Sequence, residues 1–531
     1  MTSLGYVSVG TMVAWSCNAF SKLHDSDAQR FGQLELTDVE ELTQNQKTSL
    51  AATPALAAAV TSVVTYKLFY RVGTKLFMLS AATLMIGANF LLTFGSSFWF
   101  FSVGRILAGI GAGITVTLVP PYVDEFGSKQ YKPLLDSILY VQFALGILVQ
   151  LMSETSKDNI AVVFVEPCAV DPLECHSNDY TYSLKMGSGA KNKYTQSTYS
   201  ARDGVDTRGL NLANSFTRGM NLLPFTELAS VVGTTFPIFL FIGFLFLPES
   251  ARYLCGTQQV NRARSVLKRT HVANDALAAQ IMENSLAQWQ QPAVVGCKLV
   301  SGLRKAQNPR LVAPVLMLVV FQQFVGGLPM MFYLSRIFTL TDGQYTPEWT
   351  AIYVAAIFAG AIPAWRLVNL KIGDYKLLVW SGLVMAGSMA VLGWHCHRQA
   401  IEGHSDEYGH VPLVCYGLYI FLYAVGFQRL PWKWLDDGVE DERAFPVRTV
   451  ATCISWTSLY LCVRILPFLI GLIGVGWVFW NITIVLVFAV LFVLLTVPNL
   501  DQSDIQSKTL ANCSSSSSSV SNMQIVMEDV V

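Results

Sequence analysis

Apolar residues along this chain gather into long unbroken runs rather than the alternation of a strand or the stripe of a soluble helix. Twelve runs reach about 20 residues, the length a helix needs to cross the hydrocarbon core. Their approximate limits are 5–22, 48–68, 76–95, 98–120, 133–152 and 224–247, then 311–338, 348–368, 375–394, 411–434, 450–472 and 475–497. The pattern predicts an all-α membrane protein of twelve transmembrane helices, six on each side of a polar central segment. The N-terminus lacks a basic leader region, so the first run reads as span one.

The polar stretches divide the chain further. Residues 1–152 hold helices one to five, and 223–248 hold helix six. Residues 249–309 read as a linker of amphipathic helices, with Ala263, Val266, Leu267, Leu277, Ile281 and Leu286 as its apolar positions. Residues 310–498 hold helices seven to twelve, and the serine-rich 499–531 reads as a disordered tail. Residues 153–222 are polar and without periodicity where a bundle needs only a short turn. They read as a disordered extracellular insertion, the alternative being a mis-spliced stretch. Cys168 and Cys175 are able to pair there if that side is oxidising.

Composition supports the membrane reading: 52% of residues are apolar and only 14% charged, with mean hydropathy +0.43, against about 25% charged in soluble domains. The net charge is zero, so it indicates no nucleic-acid partner. Placement is more informative. Lys67, Arg71 and Lys75 follow span two, a basic cluster from Arg252 to Arg310 follows span six, and Lys371 and Lys376 follow span eight. By the positive-inside bias these loops and both termini face the cytoplasm. The expected location of this multi-pass protein is the surface membrane.

The chain contains no nucleotide-binding loop, nucleophile–base arrangement or metal-ligand spacing, which argues against an enzyme and against a cofactor or metal. Four histidines (His395, His397, His404, His410) are expected in a hydrophilic loop after span nine, as solvated side chains rather than a metal site. Span four is the sharpest stretch. Gly109 and Gly113 stand four apart, the spacing that lets membrane helices touch. Arg105 lies two turns earlier, too costly to face lipid, so it is expected to be paired inside the bundle.

The stretch Leu107-Ala-Gly109-Ile-Gly-Ala-Gly113, followed by Tyr122, Glu125 and Lys132, resembles the span-four signature of the sugar-porter branch of the major facilitator superfamily. "LPESARYL" (Leu247 to Leu254), "FQQFVGG" (Phe321 to Gly327) and "ISWTSLYL" (Ile454 to Leu461) resemble its elements in spans six, seven and eleven. The resemblance lies nearest the facilitative hexose and trehalose transporters. It implies two six-helix halves of the major facilitator fold rocking around a central solute site. It assigns sugar contacts to Gln322, Gln323, Tyr333 and Trp432, with Gln142 as an imperfect substitute in span five. The expected conformational latch is Arg105, Glu125, Lys132, Glu249, Arg252, Arg71 and Arg448.

The departures bear on the solute. Tyr70-Arg71-Val-Gly73-Thr74-Lys75 lacks the family's leading acid, as does Leu370-Lys371-Ile-Gly373-Asp374-Tyr375. Leu328 and Tyr140 stand where amides are expected. Arg429 replaces a proline of the span-ten break, Gln428-Arg429-Leu430-Pro431-Trp432. It reads equally as a contact for an anionic solute and as a locally paired arginine. No lone carboxylate stands at mid-membrane depth, which favours facilitated diffusion over symport. The expected function is alternating-access transport of a sugar or related small polar solute. The alternatives are a transport-inactive sensor and a carrier of an anionic solute.

Overall fold

The computed structural model describes residues 2–25, 43–95, 97–126, 132–160, 227–270, 309–341, 346–402, 409–437, 439 and 441–496. Every regular element among them is helical. The first half consists of α1 (Leu4–Asp25), α2 (Gln44–Val72), α3 (Thr74–Phe94), α4 (Phe98–Phe126), α5 (Lys132–Ile160) and α6 (Glu227–Phe246). Two short helices follow, α7 (Ala251–Gly256) and α8 (Val260–Thr270). Span seven is built from three pieces, α9 (Pro309–Phe324), α10 (Gly327–Met331) and α11 (Leu334–Leu340). Then come α12 (Pro347–Ile372), α13 (Asp374–Glu402), a span ten broken into α14 (Val411–Val425) and α15 (Leu430–Asp437), α16 (Asp441–Ile473) and α17 (Val475–Thr496).

Among the described residues nine helices are long and apolar enough to cross a bilayer, and the shorter apolar stretches Leu4–Cys17, Val231–Phe246 and Trp349–Ala364 complete the twelve. Large apolar side chains such as Phe246, Trp380, Phe468 and Leu495 stand exposed on the outside of the bundle. Such a surface suits lipid and would be a liability in water.

Small residues set how closely the helices approach. A Cβ on Gly109 would lie 2.4 Å from the carbonyl oxygen of Pro54, and one on Gly113 2.6 Å from that of Ala58. The span-four glycines therefore press α4 directly onto the α2 backbone, as their spacing predicts. The same helix joint recurs in each half. Gly73 links α2 to α3 and Gly373 links α12 to α13, both at φ 86°, a conformation that disfavours any side chain.

In the first half α1 packs on α5 and α6, while α4 packs on α2 and α3. In the second, α13 packs on α14 and α17, and α9 on α16. The halves meet where α2 lies along α16 and α5 along α12. These two seams exchange under the repeat that maps span two onto eight and span five onto eleven.

Three findings differ from the sequence expectation. Helix α5 continues to Ile160, past the expected boundary at 152, because extending a helix adds a backbone hydrogen bond per residue without needing apolar cover. Helix α13 runs to Glu402, so His395 and His397 are helical rather than in a loop. His395 is buried, and His397 packs 6.0 Å from the Trp477 ring and 5.3 Å from the Trp480 ring. Helix α4 runs through Pro120 and Pro121 to Phe126, carrying Glu125 on its last turn. The remainder of the expected insertion (with Cys168 and Cys175), most of the central linker after Thr270, His404 and the serine-rich tail lie outside the described residues.

Candidate solute site and its two gates

Breaks in spans seven and ten create the polar chemistry at the centre of the second half. Gly326, at φ 90°, separates α9 from α10, and span ten is interrupted between Val425 and Leu430. Helix interruptions leave backbone carbonyls available, and here side chains take them. Gln322 Nε2 donates to the Gln428 carbonyl at 2.8 Å, and Trp432 Nε1 donates to Gln322 Oε1 at 3.2 Å. Tyr419 Oη donates to the Val325 carbonyl at 2.7 Å. Gln323 Nε2 donates to Ser455 Oγ at 3.0 Å, and Tyr333 Oη donates to the Val463 carbonyl at 3.0 Å.

Both paired glutamines are 3% exposed. Gln322 is therefore held at both ends by the protein. Gln323 Oε1, Gln428 Oε1 and Tyr416 Oη are buried with no hydrogen-bond partner among the described residues. Sequence reasoning singled out Gln322, Gln323, Tyr333 and Trp432 but passed over Gln428 and Ser455. Gln428 was readable as the first residue of the broken span-ten motif. Gln142 is half-buried on α5 and makes no hydrogen bond among the described residues.

Arg429 reaches out of the second half. Its Nη1 donates to Ser137 Oγ at 2.6 Å, and its guanidinium lies 5.2 Å from the centre of the Tyr140 ring, both on α5. The residue that replaces the family's proline therefore bridges the two halves. The Tyr140 that replaces its amide is one of the residues that receives it.

At the end of the bundle carrying Glu125, three of the expected charges, Glu125, Glu249 and Arg252, converge on the start of α7. Glu125 is buried and accepts from Ser250 Oγ at 2.8 Å and from the Ala251 N–H at 2.8 Å, with Arg252 Nε at 3.9 Å. It thus caps the start of α7. Tyr122 Oη donates to the Pro248 carbonyl at 2.7 Å. Glu249 accepts from the Lys75 N–H at 3.0 Å, so the acid of "PES" holds the joint at Gly73, where the leading motif acid is missing.

Contact with the second half runs through Phe445. Its ring stands 5.3 Å from Tyr66, 5.0 Å from Phe69 and 5.9 Å from the Arg252 guanidinium. Arg448 Nη1 donates to both Asp436 oxygens, at 3.1 and 2.9 Å, within the second half. Arg71 is exposed and has no hydrogen-bond or ion-pair partner among the described residues. The Lys132 side chain lies outside them.

Arg105 is not brought to this network. It sits on the same helix as Glu125 but about 30 Å away along the axis, at the rise of an α-helix. Its Nε donates to the Leu50 carbonyl at 3.0 Å, Nη1 to the Met12 carbonyl at 2.8 Å, and Nη2 to Ser16 Oγ at 2.6 Å. The Trp15 ring covers it at 5.0 Å. Nearby, α1 meets α11, with Cys17 Sγ 3.2 Å from Ser335 Oγ, and Arg336 and Arg464 bond residues at the start of α2. The halves are thus in contact at both ends of the bundle.

A twelve-helix bundle in two repeated halves, with broken helices at its centre and contacts at both ends, is the architecture of a polytopic membrane protein of the carrier type. The model of the sugar (and other) transporter family matches residues 7–162 and 220–507, and the chain belongs to that family. Among solved structures it is similar to the proton:xylose symporter XylE bound to 6-bromo-6-deoxy-D-glucose (TM-score 0.65, 17% identity, 92% of this chain and 93% of that one). The inward-open XylE of E. coli gives TM-score 0.63 at 17% identity, over 94% of this chain and 95% of that one. These likenesses establish the major facilitator fold. Among sequences, the facilitated trehalose transporter Tret1 of Bombyx mori is 23% identical over 50% of this chain and 52% of its own length. The Tret1-2 homolog of Drosophila simulans is 23% identical over 51% and 56%. The match spans about half the length of these relatives.

Proposed function

We propose that this protein carries a sugar or related small polyol across the surface membrane by facilitated diffusion, alternating access between the two halves, with both termini cytoplasmic. The observation that carries this reading is the buried amide pair Gln322–Gln323, beside acceptors with no hydrogen-bond partner on Gln323 and Gln428. A buried polar atom without a partner costs about 1–3 kcal/mol. Solute hydroxyls donating to these oxygens would recover that when the solute is enclosed, and Trp432 offers a flat face to a ring.

Facilitated diffusion rather than ion coupling is supported by Arg105, whose partners are two carbonyls, a hydroxyl and a ring, with no carboxylate among them. A coupled carrier needs a titrating group in its path. Glu125, Glu249, Arg252 and Arg448 act as the latch that holds one end closed, with Arg71 and Lys132 at its rim. Arg429 belongs with them: its bond to Ser137 favours closure of the halves over capture of an anionic solute.

The test is uptake of labelled hexoses and trehalose in cells lacking their own carriers, with the wild type and the Gln322→Ala/Gln323→Ala double variant. Saturable uptake that the double variant loses supports the reading. Absence of uptake for every sugar, with the protein verified at the surface, overturns it in favour of a transport-inactive sensor.

A further inference from the structure

We propose that a cavity inside the first half, beside Arg105, binds one small monovalent anion, chloride in a physiological medium. Arg105 is 0% exposed, and burying an uncompensated charge costs several kcal/mol. A guanidinium has five N–H donors. Three of those on Arg105 are taken, by the carbonyls of Leu50 and Met12 and by Ser16 Oγ, none of which carries charge. Two N–H groups remain, and beyond the Trp15 ring at 5.0 Å no group carrying negative charge meets the guanidinium among the described residues.

The same guanidinium, on span four, lines a cavity walled by Ser8, Thr11 and Trp15 of span one, Asn89 of span three and Gln150 of span five, with Pro237 of span six closing it. No acidic side chain lines it. The Asn89 amide has no hydrogen bond among the described residues, so its N–H groups are available as further donors. Gly233 faces the two amides without a side chain: a Cβ there would lie 3.4 Å from Gln150 Oε1 and 3.6 Å from Asn89 Oδ1. The cavity has room for a body the size of a water molecule or a halide, and is too small for a sugar. Positive charge, amide donors and small size select a halide. This site is separate from the solute site, which is built on the second half.

The experiment uses the purified full-length protein, exchanged into gluconate and titrated with sodium chloride or sodium bromide at constant ionic strength. Unfolding temperature is the first readout. The expected result is a saturable affinity for halide, with the midpoint rising as the logarithm of halide concentration above Kd. Ser16→Asp supplies a carboxylate where Nη2 now meets a hydroxyl at 2.6 Å and should abolish the halide dependence. Thr11→Asp, which places the acid in the cavity wall, should do the same and serves if Ser16→Asp does not fold. A crystal grown in bromide should show an anomalous peak beside Arg105. A wild-type midpoint indifferent to halide overturns the proposal. So does an undiminished halide response in whichever aspartate variant folds, or a bromide structure without the peak.

Discussion

Removing the Glu125 carboxylate should release α7 from the bundle, and the release is measurable at one thiol. Glu125 accepts two short hydrogen bonds, from Ser250 Oγ and the Ala251 N–H, both at 2.8 Å. Hydrogen bonds to a charged acceptor contribute about 1.5–3 kcal/mol each. Taking the lower figure for both gives about 3 kcal/mol, or roughly a hundredfold in the docking equilibrium, since 1.4 kcal/mol is tenfold. Cys255 lies on α7 and is buried, and burial, with the Glu125 charge adding to it, pushes its thiol up to about 11. In solvent a thiol titrates near 8.5, so at about pH 8 undocking raises the thiolate fraction by roughly two further decades. Maleimide alkylation of Cys255, followed by peptide mass spectrometry, should therefore be at least a hundredfold faster in Glu125→Ala than in wild type. Glu125→Gln keeps one acceptor oxygen and should fall between them. A rate in Glu125→Ala within about threefold of wild type would refute the assignment of Glu125 as the anchor of α7.

The two joint glycines separate strain from contact. Gly73→Ala and Gly373→Ala share the backbone penalty of φ 86°, but a Cβ at Gly73 meets Glu249 Oε2 at 2.9 Å while one at Gly373 meets nothing within 4 Å. Gly73→Ala should therefore lower the unfolding temperature more, and equal losses would count against this packing. Gly109→Leu forces α4 off the Pro54 backbone and should cost at least the 1–3 kcal/mol typical of overpacking, read as loss of the monodisperse peak in size-exclusion chromatography. Arg429→Ala removes a bridge between the span-ten break and α5. About 1.5 kcal/mol for that bond predicts about tenfold faster labelling of a cysteine placed at Val141, one turn along α5 from Ser137, in Arg429→Ala than beside intact Arg429.

The number, order and class of the helices were legible because lipid imposes an unbroken run of apolar residues on each span. The ends were less so. A hydropathy window stops at the last apolar residue, whereas α5 continues through Ser153–Asn159 and α13 carries His395 and His397 in regular helix. The site was half legible: Gln322, Gln323 and Trp432 stood out, but Gln428 acts through its carbonyl, and backbone leaves no mark in a list of residue types. The partners of Arg105 were hidden for the same reason, two of them being the carbonyls of Leu50 and Met12. Arg429 left two readings in the sequence because only the fold shows which α5 residues face it.

Span seven is three short helices joined at Gly326 and Phe332–Tyr333, whereas its counterpart in the first half, α1, is continuous. Rocking one six-helix body against the other belongs to the microsecond-to-millisecond range, while a segment of a dozen residues rearranges in nanoseconds to microseconds. The piece from Gly327 to Leu340 can therefore flicker many times during a single rocking event. In the proposed carrier cycle this would let the α10–α11 segment gate on a faster clock than the rocking of the halves, and amide hydrogen exchange at α10 and α11 should outpace that of the neighbouring α12.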